Sequence, residues 1–152
     1  MKYFSKEVLQ NRFANAMGVT RAGSQIQNDM LVALRSLNAK KNTSFNDKDK
    51  VFFWLDGQNR ELEFYRVGGE KQRSMYDVPK EEIFVAIKEV LLNHGPMFKS
   101  ELKSYVARAF DIKAVGKQVD KAIDGCVDCY VSRGELAIID DGARVALKSQ
   151  EK

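Results

Sequence analysis

Phe13-Ala-Asn-Ala-Met-Gly18-Val-Thr-Arg21-Ala-Gly23-Ser-Gln-Ile26 and Val106-Ala-Arg-Ala-Phe110-Asp-Ile-Lys113-Ala-Val-Gly116-Lys-Gln-Val119 are the two stretches from which the fold is read. They lie 93 positions apart and align without a gap. Ala14 falls on Ala107, Ala16 on Ala109, Gly23 on Gly116 and Gln25 on Gln118. Apolar positions keep the same register: Phe13 with Val106, Met17 with Phe110, Val19 with Ile112, Met30 with Ile123 and Leu34 with Val127. The match reaches Phe52 with Val145 and Trp54 with Leu147. Identities are few, but an apolar register shared over about 40 positions argues for two copies of one structural unit.

Each copy carries the same order of elements. Val8, Leu9, Phe13, Ala16 and Met17 recur at helical spacing, so Ser5 to Met17 is expected to be a helix. Ser5 is a good N-cap, and Gly18 suits the left-handed residue that closes a helix. A second helix is expected over about 21–37, with Ile26, Met30, Ala33, Leu34 and Leu37 on one face. A polar stretch with turn chemistry follows, and Val51-Phe-Phe-Trp54 closes the unit as a strand. In the second copy, helices are expected at 100–110 and 115–130. The strand Glu135–Ile139, the turn Asp140-Asp-Gly142 and the return strand Arg144–Leu147 come next. A further helix stands in front of this copy, over about 79–93, bounded by Pro79 and by Gly95-Pro96.

Helix, helix, helix and a two-stranded hairpin is the winged-helix order, in which the last two helices form a helix-turn-helix. The expected fold class is therefore α+β and mostly helical: tandem winged helix-turn-helix repeats, the first lacking its leading helix. That gap implies a piece of something larger. The expected domains are residues 1–55, a linker over 56–78, and residues 79–148. The alternating Leu62-Glu-Phe64 is expected to lie on one of the domains as a short strand.

The 152 residues, 44% hydrophobic and 30% charged, are ordinary for a folded globular chain and exclude a disordered tail or a fibrous repeat. No run of 18 apolar residues occurs, so no membrane partner is expected. The first residues lack the apolar core of a signal peptide, and free cysteines fit a reducing compartment, so a cytoplasmic location is expected. The net charge is +4. Residues 1–77 hold 13 basic against 9 acidic side chains, and residues 78–152 hold 12 against 12. The excess positive charge thus lies wholly in the first half, which is compatible with nucleic-acid contact.

The pattern Phe13-Ala-x-Ala-Met-Gly18-Val-Thr-Arg21-Ala-Gly23-Ser-Gln-Ile26 resembles a motif near the C-terminus of large prokaryotic helicase-related proteins. The joint Asp77-Val-Pro79-Lys-Glu-Glu82-Ile83, the closing Phe52-Phe-Trp54 and Tyr65-Arg66 resemble the same region. The resemblance covers roughly residues 5–147. In that family this region is a domain of unknown function. It follows a superfamily-one helicase motor and often a nuclease domain of the very-short-patch-repair type. The resemblance implies that the parent is an ATP-dependent DNA helicase with a nuclease domain. Those two domains would then be partners of this region within the parent chain. The second copy departs from the pattern, because the counterpart of Arg21 is Ala114.

Catalytic motifs are not found. No Gly-x-x-x-x-Gly-Lys-Ser/Thr segment is present to cradle a phosphate, and no acidic nuclease constellation with a lysine stands out. His94, the single histidine, is expected at a helix end, where a cation is favourable. Cys126-Val-Asp-Cys129 lacks the further ligands a zinc site needs and falls in the middle of an expected helix, so core packing is expected for Cys126. Phe52-Phe53-Trp54 resembles a base-stacking platform in composition, but at the end of a wing strand it is expected to pack beneath the helices. No enzyme activity, cofactor or metal is expected in these residues.

In a helix-turn-helix the start of the second helix enters the major groove. The candidates there are Thr20, Arg21, Ser24, Gln25 and Asn28, since Arg and Asn or Gln read base edges and hydroxyls bind phosphate. The wing offers Lys40, Lys41, Lys48 and Lys50. In the second copy Lys113, Lys117 and Lys121 form an i, i+4 stripe. Asp120, Asp124 and Asp128 share that helix and would repel phosphate, so a salt-bridged solvent face is the competing reading. The expected function is a non-catalytic accessory DNA-binding region of a DNA helicase or nuclease. The alternative is a protein-interaction or regulatory module that docks on the parent's helicase or nuclease domains.

Overall fold

A computed structural model of the chain describes residues 3–43, 51–55, 57, 61–67 and 74–150. It is α+β, with helices predominating and two small antiparallel sheets. The chain divides into two compact units, residues 1–59 and 60–152.

The first unit runs β1 (Tyr3–Ser5), α1 (Lys6–Ala16), α2 (Ser24–Ser36), β2 (Lys40–Thr43) and β3 (Val51–Trp54). Ser5 starts α1 from an extended conformation, and its hydroxyl accepts from the Val8 N–H at 3.4 Å. Gly18 ends it with φ +75°, where a side chain would be strained. The N–H groups of Gly18 and Val19 then return to the carbonyls of Asn15 and Ala14. The sheet order is β1-β3-β2, so β3 is central: Trp54 lies opposite both Tyr3 and Lys40. Phe52, Phe53 and Trp54 are all buried. A strand covered on both faces has no solvent side to alternate with, and this one reads as a continuous apolar run.

The second unit begins with a single 3-10 turn, Met75–Asp77. After it come α3 (Lys80–His94), β4 (Met97–Phe98), α4 (Lys99–Ala109), α5 (Lys117–Ser132), β5 (Leu136–Ile139) and β6 (Arg144–Leu147). Its sheet order is β4-β6-β5, again with the last strand central. The core gathers Ile83, Ile87 and Leu91 of α3, Leu102 and Val106 of α4, Ile123 and Val127 of α5, and Val145 and Leu147 of β6. Phe84 of α3 stacks on Tyr130 of α5, ring centroids 3.7 Å apart. The Cys126 thiol, fully buried, donates to the Lys80 carbonyl at the start of α3. Burial raises its pKa well above the ordinary thiol value, so it stays a protonated, inert core group.

Element boundaries in the two units keep one spacing. Lys6 and Lys99 open α1 and α4, Ala16 and Ala109 close them, Ser24 and Lys117 open α2 and α5, and Trp54 and Leu147 end the central strands. Each pair is 93 positions apart. The interval slips to 96 between β2 and β5, because α5 is 16 residues long and α2 only 13. It is restored because seven residues separate β2 from β3 while four separate β5 from β6. The two N-caps also divide one device. In a capping box an N-cap hydroxyl and a glutamate three residues on satisfy each other's backbone. The first unit keeps the hydroxyl, on Ser5, whereas in the second the Phe98 N–H donates to Glu101.

Two expectations are corrected. The second helices start at Ser24 and Lys117 rather than near residues 21 and 115. Gly23 and Gly116 are extended N-caps, and they hold the preceding residues outside the helix. The stretch expected as a linker with a short strand forms no strand among its described residues, 57, 61–67 and 74–78. Part of it belongs to the second unit: Met75 and Val78 enter that core, and Tyr65 packs on Phe110 with centroids 5.2 Å apart. The expected Asp140-Asp-Gly142 turn does join β5 to β6, with Asp140, Asp141 and Gly142 all at positive φ.

Candidate nucleic-acid interface

The turn between α1 and α2 sets the geometry of the first candidate surface. Gly18 reverses the chain, residues 19–23 cross to α2, and Gly23 starts it. Thr20 and Arg21 therefore project from the connection, while Ser24, Gln25 and Asn28 project from the first turns of α2; all five are exposed. Gln27 stiffens the joint by donating to the Ala22 carbonyl at 2.9 Å. Gln25 is already engaged, since its amide donates to Asp29 at 2.9 Å. A base-edge contact by Gln25 thus has to displace a carboxylate one turn away, a coupling that spacing alone does not reveal.

Lys40 and Lys41 both lie exposed on β2, the edge strand. Neighbouring strand residues point to opposite faces. The two lysines therefore leave the edge strand on opposite sides of the sheet. Lys48 and Lys50 lie outside the described residues.

The second candidate set occupies the equivalent positions. Lys113, Lys117 and Lys121 stand 93 residues after Thr20, Ser24 and Asn28. Lys117 and Lys121 lie on α5, Lys113 precedes it, and all three are exposed. Their expected ion pairs within the helix do not form. Asp120 and Asp124 turn instead to Lys103 of α4, at 2.6 and 2.9 Å. Burial disfavours the Lys103 charge, but the two carboxylates outweigh it and raise the ammonium's pKa. Two of the three acidic side chains of α5, Asp120 and Asp124, are thus tied to α4 rather than to the lysine stripe.

Charge follows the unit boundary. Residues 1–59 hold nine basic against five acidic side chains, a net of +4, and residues 60–152 hold sixteen against sixteen. His94 lies at the C-terminal end of α3 with its ring 4.5 Å from that of Tyr105. Cys129, near Cys126, is half-buried, and no group of three metal-ligating side chains converges among the described residues.

One feature escaped the sequence. Glu82, in the first turn of α3, has a side chain only 1% exposed. It accepts from the Arg66 N–H at 2.7 Å, and the Arg66 guanidinium stands 3.6 Å away. Burial raises the Glu82 pKa to about 7, against the lowering effect of the Arg66 N–H. The guanidinium is partly solvated and does not reverse this. An acidic residue at a helix start normally reads as a surface partner of the helix dipole, so nothing local marks it as buried.

No protein-family model, curated protein or solved structure matches the chain. No helix among the described residues is long and apolar enough to cross a membrane.

Proposed function

We propose that the chain is a tandem winged-helix region that engages DNA without catalysis, as an accessory to a DNA helicase or nuclease. The observation that carries this reading is the exposed start of α2, where Thr20, Arg21, Ser24 and Asn28 stand free of the core in the unit that holds all the net positive charge. Both units share one strand order, and both hold polar or cationic side chains at three matched positions around the second helix, Thr20, Ser24 and Asn28 against Lys113, Lys117 and Lys121, although Ala114 stands where the first unit has Arg21. This supports the winged-helix assignment and makes Lys113, Lys117 and Lys121 a second, phosphate-directed patch. The link to a helicase and a nuclease rests on the sequence resemblance alone. A docking role on the parent's own domains is the second reading; it is favoured by the exposed Met17, Val32 and Leu37 of the first unit.

Fluorescence anisotropy with duplex, forked and single-stranded DNA tests the reading. Arg21→Ala with Asn28→Ala should weaken binding several-fold, and the salt slope should fall by about one for each phosphate the variant no longer neutralises. Lys117→Ala with Lys121→Ala should have a smaller effect, confined to the salt-dependent part. Absence of binding at low salt to all three substrates would refute the DNA role and leave docking.

A further inference from the structure

The two sheets end on very different outer strands. In the first unit the hairpin's outer strand is β2, Lys40-Lys-Asn-Thr43, whose lysines leave on both sides of the sheet. Charged side chains of this kind keep a sheet edge from pairing with another chain. In the second unit the equivalent strand is β5, Leu136-Ala-Ile-Ile139. It carries no charge and no proline, and its pairing with β6 runs through without a bulge. The usual guards of an edge strand are therefore missing from β5.

The outer side of β5 is a row of backbone groups. The Lys148 N–H donates to the Glu135 carbonyl at 3.1 Å, and Leu136 to Ile139 pair in order with Leu147 to Arg144. In an antiparallel ladder, residues bonded to the neighbouring strand alternate with residues that turn away from it. Ala137 and Ile139 therefore bond to β6, and Leu136 and Ile138 turn their N–H and carbonyl groups outward. Among the described residues no further strand borders β5.

We propose that the outer edge of β5 receives one added strand from a partner protein, an extended segment with basic residues at its two ends. Main-chain bonds to Leu136 and Ile138 hold such a strand. Its charge follows from what stands at the ends of β5. Glu135 precedes the strand, Asp140 and Asp141 follow it, and all three are exposed. Arg144 of β6 takes up Asp140, and Arg133 lies over the Tyr130 ring. A strand beside β5 runs about 5 Å from it and about 10 Å from β6. Glu135 and Asp141 are thus the nearest charges, and Lys148, beyond the end of β6, is one strand further off. The same charges disfavour a second copy of β5 as the occupant. Antiparallel self-pairing about the middle of the strand would set the Glu135 of each copy against the Asp140 of the other. The inference rests on the sheet edge, not on DNA binding.

The test uses the full chain and three peptides. They are Lys-Val-Thr-Val-Thr-Lys, the same peptide with glutamate at both ends, and the lysine peptide N-methylated at every internal amide. The lysine peptide at saturation should slow hydrogen exchange at the Leu136 and Ile138 amides by about tenfold or more. It should leave the amides of β2 unchanged, because Lys40 and Lys41 repel it. The other two peptides should give no protection. Glu135→Gln with Asp141→Asn, shown to be folded by thermal melting, should weaken the lysine peptide by about threefold and remove most of its salt dependence. Absence of protection by the lysine peptide would overturn the proposal, and so would equal protection by the glutamate or the N-methylated peptide. Protection that rises with protein concentration alone would give the edge to a second copy and overturn it too.

Discussion

The two units share an order of elements and differ in how much core they enclose. In the second, 21 buried residues form one cluster that draws on every helix and on the sheet. In the first, burial concentrates on the central strand, with Ala14 and Met30 the buried hydrophobic residues of its helices. The strand is as apolar in one unit as in the other. What differs is the layer beyond α1 and α2, which the second unit fills with α3. Fold topology and core burial are thus separable here: the sheet and two helices set the first, and in the second unit a third helix adds to the other.

The widest gap should appear on truncating equivalent residues. Phe110→Ala should destabilise the second unit by about 3–5 kcal/mol, since it empties a closed core. Met17→Ala should change the first unit by no more than about 0.5 kcal/mol, as for a surface site. Unit-resolved hydrogen exchange in urea measures both, and a large effect at Met17 would erase the distinction.

A pH effect should belong to the second unit alone. Glu82 has a folded-state pKa near 7, above its ordinary 4.5, so the folded unit prefers the neutral carboxyl. Its contribution is therefore full below about pH 4.5 and is lost as the pH rises through 7. The shift corresponds to at most about 3 kcal/mol. Glu82→Gln should flatten the melting temperature of the second unit between pH 5 and 8 and leave the first unit unchanged. A slope that persists in the variant would assign the effect elsewhere.

The smallest difference concerns the turn after the first helix of each pair. Gly18 (φ +75°) and Asp111 (φ +59°) occupy equivalent left-handed positions. Gly18→Ala should cost about 1 kcal/mol through its Cβ. Asp111→Gly should stay within about 0.5 kcal/mol of neutral, because easier geometry is offset by a more flexible unfolded chain. Thermal melts of the two variants make the comparison.

Much of this was legible in the sequence, and the failures have physical causes. Helical periodicity located α1, α3 and α4 to within a residue or so, because Ala14, Ile87 and Val106 sit on faces that tertiary packing uses. The starts of α2 and α5 were misplaced, since a glycine N-cap gives no side-chain signal. The region around Leu62 was misread because its fate depends on distant partners. Tyr65 reaches Phe110 and the Arg66 N–H reaches Glu82, and neither contact leaves a local pattern. At the candidate interface, the positions were legible from spacing. Side-chain engagement was not: the Gln25–Asp29 bond and the turn of Asp120 and Asp124 toward Lys103 depend on rotamers and on a neighbouring helix.

The Cys126 thiol, sealed beneath the first turn of α3, gives the second unit an internal clock. An alkylating reagent cannot reach that sulfur while the Lys80 carbonyl covers it. Cys129, half-buried three residues on, is the quicker reference within the same helix. The ratio of the two labelling rates counts how often α3 lifts away from α5. Each such opening briefly leaves the second unit with the same uncovered helix pair that the first unit shows at rest.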